Sequence, residues 1–573
     1  MLPLDAYIYV LGQLTAHRTN SDVSVLVNFS QASTFLREAA LVPSLWEPHY
    51  RARYLHSEQN HESISKLTFS GNWRLMYIER RKKDKLALRL LDEIVSDRAL
   101  RYQHAGLLVS MSFDVWDALE IETLQPVPPI FGGCPEVAVA PHALTRRFWA
   151  ESVLGTISRR FAIIQWGCLV NRDTENSLSF VDAFSSLSCF FGKAPQEMAS
   201  HLAILGNACH EYLIKEQCLL DPDVANYDLQ EVCSKICRFM HEQGFGAVEP
   251  TRFYDISNHF PHVYLTTNKR TIPISLVHVF VSLARHQGII ASPVEFPARV
   301  LVHVSSPPGA DDFFVDVYGA ETKAIISVRT DIPMMLMRLG IPPDSLTQYI
   351  SPCGAGPMLL RAARNILSSF RNDATRSTAQ SAIYAALVSH MLSHVDLHPL
   401  YCATFLSDLQ PLLRPGCRRL LEQSCKNTLE VEAQSIIVRS RSTEKVDMAY
   451  FVGMVFEHRL YRYIGCIIGW EPTCMATEEW KTNMNVRNLP RGVNQPFYHV
   501  LSIDGSRRYV AEDNIGPVVM TDDLALQFFK EIPVLPMYFS DVQIDEQSGP
   551  SQAYPDDDAV GRIFIGTFTL GNK

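Results

Sequence analysis

Apolar residues recur at helical spacing twice within the first 40 residues, with a short polar break between the two sets. The first set begins beside Pro3, a residue that suits the first turn of a helix. The two sets are Leu2, Leu4, Ile8, Leu11 and Leu14, then Val23, Leu26, Phe29, Ala32, Phe35 and Leu36. Because such short helices bury little surface and carry apolar residues on more than one face, we expect a partner protein to cover the remainder.

The order of residues in this stretch resembles an F-box. Leu2-Pro3 begins the first helix, Ser21-Asp22-Val23 begins the second, and Leu45-Trp46 precedes a basic, tyrosine-rich stretch. The resemblance implies docking on a Skp-type adaptor of a cullin-based ubiquitin ligase. The candidate adaptor-binding residues are Leu2, Pro3, Leu4, Ile8, Leu11, Leu14, Val23, Leu26, Leu45 and Trp46. A generic N-terminal helical hairpin is the alternative interpretation.

Composition limits the class of protein. With 573 residues, 47% hydrophobic and 20% charged, the chain can fill several cores and should contain little disorder. Its net charge of −9 provides no general attraction for nucleic acid. The first residues lack a signal-peptide pattern, and no long apolar run predicts a membrane span. The 13 scattered cysteines are typical of reduced core thiols, so we expect a cytoplasmic or nuclear protein without a cofactor.

Two local patterns admit a functional and a structural interpretation. Cys233, Cys237 and His241 lie four residues apart and would share a helix face, but zinc needs four ligands and no second ligand group is nearby. Buried thiols on an amphipathic helix are therefore favoured, and we predict no metal site. The basic run at residues 79–85 contains two acids, which favours a solvated helix face over a nuclear-import patch.

The middle of the chain combines a helix with two strands. The helix would begin at Pro273 and end at Gly288, and strand-like segments follow at residues 294–304 and 312–320. This order is similar to the transglutaminase-like core of the SirB type over about residues 200–370, with residues 361–370 as its closing helix. The resemblance implies an α+β core.

Active members of the transglutaminase-like group use a thiol at a helix N-terminus, a histidine on a neighbouring strand and an aspartate that orients it. These positions fall at Pro273, Arg299 and Asp316, and an arginine cannot act as a base near neutral pH. Ser275 with His303 is the alternative nucleophile and base. We predict instead a non-catalytic domain in which Arg299 and Asp316 form a charge-assisted pair.

A second region of strand-like character begins near residue 449. Short runs alternate apolar and polar residues, Gly and Pro separate them, and Asp504-Gly505 is a hairpin signal. The segment resembles the YccV or HspQ family over about residues 449–516, in the phrases at 452–456, 458–461, 467–470, 495–500 and 508–512. The resemblance implies a small β-barrel. Bacterial members are described as binders of hemimethylated DNA and as factors that deliver proteins to proteolysis.

Charge separates these two family functions. Seven basic and seven acidic residues lie between Tyr450 and Ile515, so the module is neutral and poorly suited to duplex DNA, which remains a possible partner by resemblance alone. Exposed aromatics such as Tyr461, Trp470 and Tyr498 would suit a protein interface, whereas in the alternative interpretation they fill the barrel. The candidate client-binding or ligand-binding residues are Tyr461, Trp470, Gln495, Pro496, Tyr498, His499 and Tyr509.

These patterns predict a multidomain α+β protein with an N-terminal helical F-box, a helical middle, a transglutaminase-like core and a C-terminal small β-barrel. The expected boundaries are 1–56, 57–135, 136–430 and 446–573. The predicted function is substrate recognition in a cullin–RING ubiquitin ligase, with a Skp-type adaptor, a cullin and an unidentified client protein as partners. A hydrolase or transferase and a DNA-binding regulator are the alternatives.

Overall fold

The structure is a computed structural model that describes most of residues 2–372 and 448–516, together with residues 535–544 and 561–565. The longest gaps within these ranges are at 168–177 and 342–348. The chain divides into two compact units, Met1–Leu154 with Val431–Lys573 and Gly155–Glu430. The described residues begin with helices, continue with a mixture of helices and strands, and contain an antiparallel sheet nearer the C-terminus, so the predicted multidomain α+β class is confirmed. A membrane-crossing helix is absent from the part of the chain that the structure describes.

The first unit begins with a series of mostly short helices. Their bounds are α1 Leu4–Leu11, α2 Val23–Ala32, α3 Thr34–Ala40, α4 Pro43–Arg53, α5 His61–Thr68, α6 Trp73–Ser96, α7 Arg101–Ser110, α8 Trp116–Thr123 and α9 Ala143–Gly167. The residues of α9 after Leu154 belong to the second unit. Side-chain caps fix two of the starts, because Ser33 accepts the N–H of Leu36 before α3 and Asn72 accepts that of Leu75 before α6. The core between these helices contains Leu11, Leu26, Ala39, Ala40, Leu45, Trp46, Tyr50, Tyr54, Met76 and Tyr77.

The second unit surrounds one central helix. Its helices are α10 Phe180–Ser185, α11 Pro195–Lys215, α12 Leu229–Glu242, α13 Pro261–Tyr264, α14 Pro273–His286, α15 Asp331–Arg338 and α16 Ala355–Asn372. Residues 273–281 of α14 are all buried, as expected of a helix that is apolar on every side. The predicted start at Pro273 is confirmed, and Gly288 follows the helix with φ of 79°. Helix α16 contains the predicted closing segment 361–370.

Six strands accompany these helices. They are β1 Gly246–Ala247, β2 Arg270–Thr271, β3 Ala291–Val294, β4 Leu301–Val304, β5 Phe313–Val315 and β6 Ile325–Ile326. Strands β1 and β2 pair in parallel, and the other four form an antiparallel sheet in the order β3-β4-β5-β6. The predicted strand at 294–304 is wrong in extent, since β3 ends at Val294 and β4 begins only at Leu301. The intervening Pro297 has no N–H to give a ladder, which explains the interruption.

The C-terminal part of the first unit is a five-stranded antiparallel sheet in the order β10-β9-β8-β7-β11. Its strands are β7 Val455–His458, β8 Ile464–Glu471, β9 Phe497–Ser502, β10 Arg507–Ala511 and β11 Ile515–Gly516, and α17 Glu478–Asn483 lies between β8 and β9. A short 3-10 turn at Glu512–Asn514 joins the two edge strands, so the sheet must curl towards a barrel. The Asp504-Gly505 turn lies outside the described residues, although β9 and β10 pair as a hairpin would.

The chain ends in a separate pair of strands. Helix α18 Leu535–Tyr538 leads into β12 Phe539–Ile544, which pairs in parallel with β13 Gly561–Ile565. Within the first unit, the Thr145 hydroxyl of α9 donates a hydrogen bond to the carbonyl of Phe539 at 3.2 Å. This contact ties the end of the helical series to the C-terminal strands.

Candidate functional site

The predicted adaptor-binding residues separate into a buried and an accessible group. Leu11, Leu26, Leu45 and Trp46 are each less than a tenth exposed, because the chain's own helices cover them. The Trp46 indole also donates a hydrogen bond to the carbonyl of Ala40 at 2.8 Å. These four side chains lie in the core beneath the accessible residues. The accessible residues are Leu2 and Pro3, which are exposed, and Leu4, Ile8, Leu14 and Val23, which are half-buried.

Three exposed apolar side chains extend this surface and were missed by the sequence analysis. Tyr9 is 73% exposed, Val10 is 56% exposed and Val27 is 38% exposed, while Leu2 beside them is 57% exposed. Helical spacing could have predicted their exposure. Tyr9 and Val10 lie outside the helix face that Leu4, Ile8 and Leu11 share. Together they leave an uncovered apolar surface on α1 and α2, which we call the N-terminal apolar surface.

The structure describes all three positions that the transglutaminase-like resemblance assigned to catalysis. Pro273 is buried at the first residue of α14. The Arg299 guanidinium forms an ion pair with the carboxylate of Asp316, as predicted, and Asp316 also accepts the N–H of Gly319 at 3.0 Å. Asp316 is 3% exposed, so its charge is neutralised by a fixed partner. The carboxylate therefore bonds an arginine where an active member would place a histidine.

Each member of the alternative pair, Ser275 and His303, has a partner of its own. Ser275 is fully buried, and its hydroxyl donates to the carbonyl of Asn258 at 2.7 Å. His303 lies on β4, where its Nε2 is 3.0 Å from a carboxylate oxygen of Asp312. Each group thus has a local structural partner.

The cysteines of α12 are also structural. Cys233 and Cys237 are buried, and burial raises the pKa of the Cys233 thiol to about 12. His241 is exposed at the end of the same helix. The three side chains therefore do not converge on one point, and the interpretation as core thiols agrees with this placement.

The aromatic residues of the C-terminal sheet are mostly internal. Trp470 is 4% exposed and Tyr498 is fully buried, so the expectation that they are exposed is wrong. Strand alternation places both on the inner face, where the Tyr498 hydroxyl donates to Glu512 at 2.5 Å. Gln495 is also internal and donates to Asp513 at 2.9 Å. Pro496 beside it is buried too.

The outer face of this sheet carries the remaining candidates. His499 is exposed, and its Nε2 lies 3.7 Å from Glu471. Tyr509 is half-buried, its ring lies 5.0 Å from that of His499, and its hydroxyl donates to Glu471. Tyr461 is 69% exposed at the turn between β7 and β8, so for this residue the expected exposure is confirmed.

One polar cluster gave no sequence signal because its contacts join residues 61 to 102 positions apart. The Arg18 guanidinium contacts Asp117 at 2.8 Å and also Glu120, and His56 Nδ1 lies 2.9 Å from Asp117. Burial alone would raise the pKa of Asp117, but hydrogen bonds from His56 and the charge of Arg18 hold it below its ordinary value. His56, Asp117 and Glu120 are metal-ligand types, yet Arg18 already supplies the positive charge that these carboxylates need.

The basic run at 79–85 belongs to the same layer of charges. Arg80 is 3% exposed and Asp84 is fully buried, so the expected solvated face is wrong for these two of the seven residues. Arg80 lies 3.6 Å from Asp114, and Asp84 accepts from Arg53 at 2.9 Å. Ion pairs of Arg80 and Asp84 therefore connect α6 to other segments of the first unit.

Two segments of the chain match known families. Residues 198–361 match the transglutaminase-like superfamily, and residues 448–545 match the family described as hemimethylated DNA-binding protein YccV like. The chain carries a transglutaminase-like domain and a YccV-like domain. The transglutaminase-like and YccV-like resemblances are thus confirmed, and Pro273, Arg299 and Asp316 lie within the first of these domains.

Relatives of this chain are named F-box only protein 21. The protein of Mus musculus is 30% identical over 302 residues, which cover 46% of this chain and 46% of the relative. That of Pongo abelii is 29% identical over 296 residues, 46% of this chain and 45% of the relative, and that of Homo sapiens is 29% identical over 302 residues, 46% of each. The chain thus spans about half the length of the curated relatives it matches. No solved structure matches it.

Proposed function

We propose that this chain is the substrate-recognition subunit of a cullin–RING ubiquitin ligase that works in the cytoplasm or nucleus. Residues 1–56 form the F-box that binds a Skp-type adaptor and through it a cullin. Residues 57–135 form a helical linker, residues 136–430 contain the transglutaminase-like domain, and residues 446–573 contain the YccV-like domain. The last two domains hold the client protein. The subunit itself performs no chemical step. It holds the client near the conjugating enzyme's thioester, which raises the effective concentration of the client there.

The N-terminal apolar surface is the observation that carries this proposal. The inner sides of α1 and α2 are packed on their neighbours, while Leu2, Tyr9 and Val10 are each more than half exposed. An apolar surface of this kind is typical of a protein–protein interface. The relatives' name, F-box only protein 21, supports the same role for the chain.

The transglutaminase-like domain supports a binding role because its catalytic positions hold Pro273, Arg299 and Asp316. A proline has no nucleophile, and the Arg299–Asp316 ion pair blocks the position where a base would be oriented. We expect Ser275→Ala to leave client ubiquitylation unchanged. A loss of ubiquitylation by a folded Ser275→Ala protein would favour the hydrolase or transferase alternative.

Capture of a purified Skp-type adaptor by the full chain tests the proposal. The test variant is Tyr9→Ser with Val10→Ser, which removes exposed apolar surface and leaves the core intact. The matched control is Ile204→Ser, a residue 68% exposed on α11 in the other unit. We expect strong capture by the wild type and the control, and at least tenfold weaker capture by the test variant. Failure of the wild type to capture the adaptor would refute the proposal.

A further inference from the structure

Three buried aspartates lie among the helices that follow the predicted F-box segment. Asp84 is on α6, Asp117 is on α8, and Asp114 is in the short 3-10 turn before α8. Each is less than a tenth exposed, and we call these three residues the carboxylate layer. A buried carboxylate costs free energy unless cations or hydrogen-bond donors compensate its charge. The partners of the carboxylate layer therefore show which segments of the chain must stay together.

Two of these partners come from the end of the predicted F-box segment, residues 1–56. The Arg53 guanidinium lies 2.9 Å from the carboxylate of Asp84. His56 contacts Asp117 twice, through its backbone N–H at 3.0 Å and through its ring at 2.9 Å. Because both aspartates lie after residue 56 in sequence, these bonds would be lost if the F-box segment moved away from α6 and α8.

The apolar core crosses the same boundary. Met76 and Tyr77 of α6 pack in one cluster with Leu11 of α1 and Trp46 of α4. The centre of the Tyr77 ring lies 5.7 Å from that of the Trp46 ring. Apolar and polar contacts together therefore attach α1 and α4 to the helices that follow residue 56.

Arg18 adds a contact from a third segment, the connection between α1 and α2. One guanidinium nitrogen lies 2.8 Å from a carboxylate oxygen of Asp117 and also contacts Glu120. The side chain of Arg18 is 29% exposed and that of Asp117 is 1% exposed, so this ion pair is largely screened from water. Removal of one member of a buried pair leaves an uncompensated charge. The pair thus holds the connection against α8.

This connection lies between the two helices that carry the N-terminal apolar surface. Tyr9 and Val10 are near the end of α1, and Val27 is on α2. A partner that contacts both helices binds most tightly when they are already held in one arrangement, because any ordering that binding must impose weakens the affinity. Helix α1 has eight residues, which is too short for stability as an isolated helix.

We propose that Arg18 is a positioning residue for adaptor binding, because its contacts with Asp117 and Glu120 fix the connection between α1 and α2 and thereby the arrangement of the N-terminal apolar surface. This inference rests on the proposed function, since the partner concerned is the Skp-type adaptor. The affinity for the adaptor then depends on α8, a helix outside residues 1–56. Asp117 is fully buried, so its influence on adaptor binding passes through its partners.

Titration of the full chain with a purified Skp-type adaptor, by biolayer interferometry, tests this proposal. We expect Arg18→Gln to weaken adaptor binding about fivefold, and Arg18→Lys, which keeps the positive charge, to stay within about twofold of the wild type. Glu120→Gln should weaken binding about threefold. The matched control is Arg89→Gln on α6, since Arg89 is 68% exposed and lies 3.8 Å from Glu93. This variant should change Kd by less than about twofold.

A double variant separates positioning from direct contact with the adaptor. If Arg18 acts through its contact with Glu120, Arg18→Gln with Glu120→Gln should bind the adaptor as strongly as Arg18→Gln alone. Losses that add up in the double variant would mean two independent contacts with the adaptor and would overturn the proposal. If Arg18→Gln does not fold, Glu120→Gln decides, because it removes a carboxylate that is 33% exposed.

Hydrogen exchange of the free chain gives a second measurement that does not involve the adaptor. In Arg18→Gln we expect faster exchange at the amides of residues 14–18 and at the start of α2, with unchanged protection in α6. Equal loss of protection in α6 would make Arg18 a residue of general stability and would overturn its positioning role.

The wild type separates this inference from the proposed function. Failure of the wild type to bind the adaptor would refute the proposed function. Normal binding by the wild type with an unchanged Kd in folded Arg18→Gln would refute this inference alone.

Discussion

Acid should destabilise the transglutaminase-like unit through a buried histidine on its central helix. His278 is fully buried on α14, and burial lowers its pKa to about 4. Its Nε2 donates to the carbonyl of Val181 at 3.0 Å, and its Nδ1 accepts from the hydroxyl of Tyr264 at 2.9 Å. Only the second bond requires the neutral ring, because a protonated imidazole still donates from Nε2 but can no longer accept at Nδ1. A histidine in this state supports the helix and cannot exchange protons near neutral pH.

The sign and size of the effect follow from the two pKa values. The unfolded chain has the ordinary value of 6.5, and the folded chain has a value of about 4. The unfolded state therefore binds more protons between these values, so the contribution of His278 is fully present above pH 6.5 and is lost as the pH falls towards 4. The full difference corresponds to about 3 kcal/mol, of which about 2 kcal/mol is lost by pH 5.

Hydrogen exchange of the α14 amides between pH 8 and pH 5, corrected for intrinsic rates, measures this loss locally. The perturbation is Tyr264→Phe, which keeps the ring and removes the hydroxyl that opposes protonation of His278. We expect a smaller loss of protection at pH 5 than in the wild type. Tyr318→Phe is the matched control, because its hydroxyl donates to Val248 at 3.4 Å and does not contact His278. Identical pH profiles for Tyr264→Phe and the wild type would refute the reasoning.

Three further predictions concern stability. Trp46→Ala removes a side chain 2% exposed and should cost about 3–5 kcal/mol, measured as a lower thermal midpoint with loss of adaptor capture. Asp316→Asn breaks the pair with Arg299, a residue partly open to solvent, and should cost about 1–2 kcal/mol by urea unfolding while ubiquitylation is kept. Glu512→Gln weakens the buried contact with Tyr498 and should cost about 1–3 kcal/mol, seen in the unfolding of the YccV-like domain.

Helices and their ends were predictable wherever local chemistry decides them. Pro273 and Gly288 bound α14 as expected, because a missing N–H and a positive φ have purely local consequences. The Arg299–Asp316 pair was predictable as well, since the family order placed the two residues on adjoining segments. By contrast, β3 was missed because Pro293 and Pro297 in and after it weaken every strand signal in the sequence.

Exposure was the property that sequence pattern predicted least well. Trp470 and Tyr498 were expected outside, but alternation along a strand gives two faces without stating which face is covered. The same ambiguity applied to α1, where Leu11 lies in the core and Tyr9 does not. Contacts between segments that are distant in sequence decide which face of a strand or helix is covered. The Arg18–Asp117 contact, whose members are 99 positions apart in sequence, is the clearest example.

The charge balance of the YccV-like domain persists after its ion pairs are counted. Glu512 and Asp513 both pair with Arg491, and Glu478 pairs with Lys481 and Arg487. These contacts engage three acids and three bases, so four acids and four bases remain between Tyr450 and Ile515. Duplex binding draws much of its affinity from the neutralisation of several phosphates, and an even balance of charges provides little of that attraction.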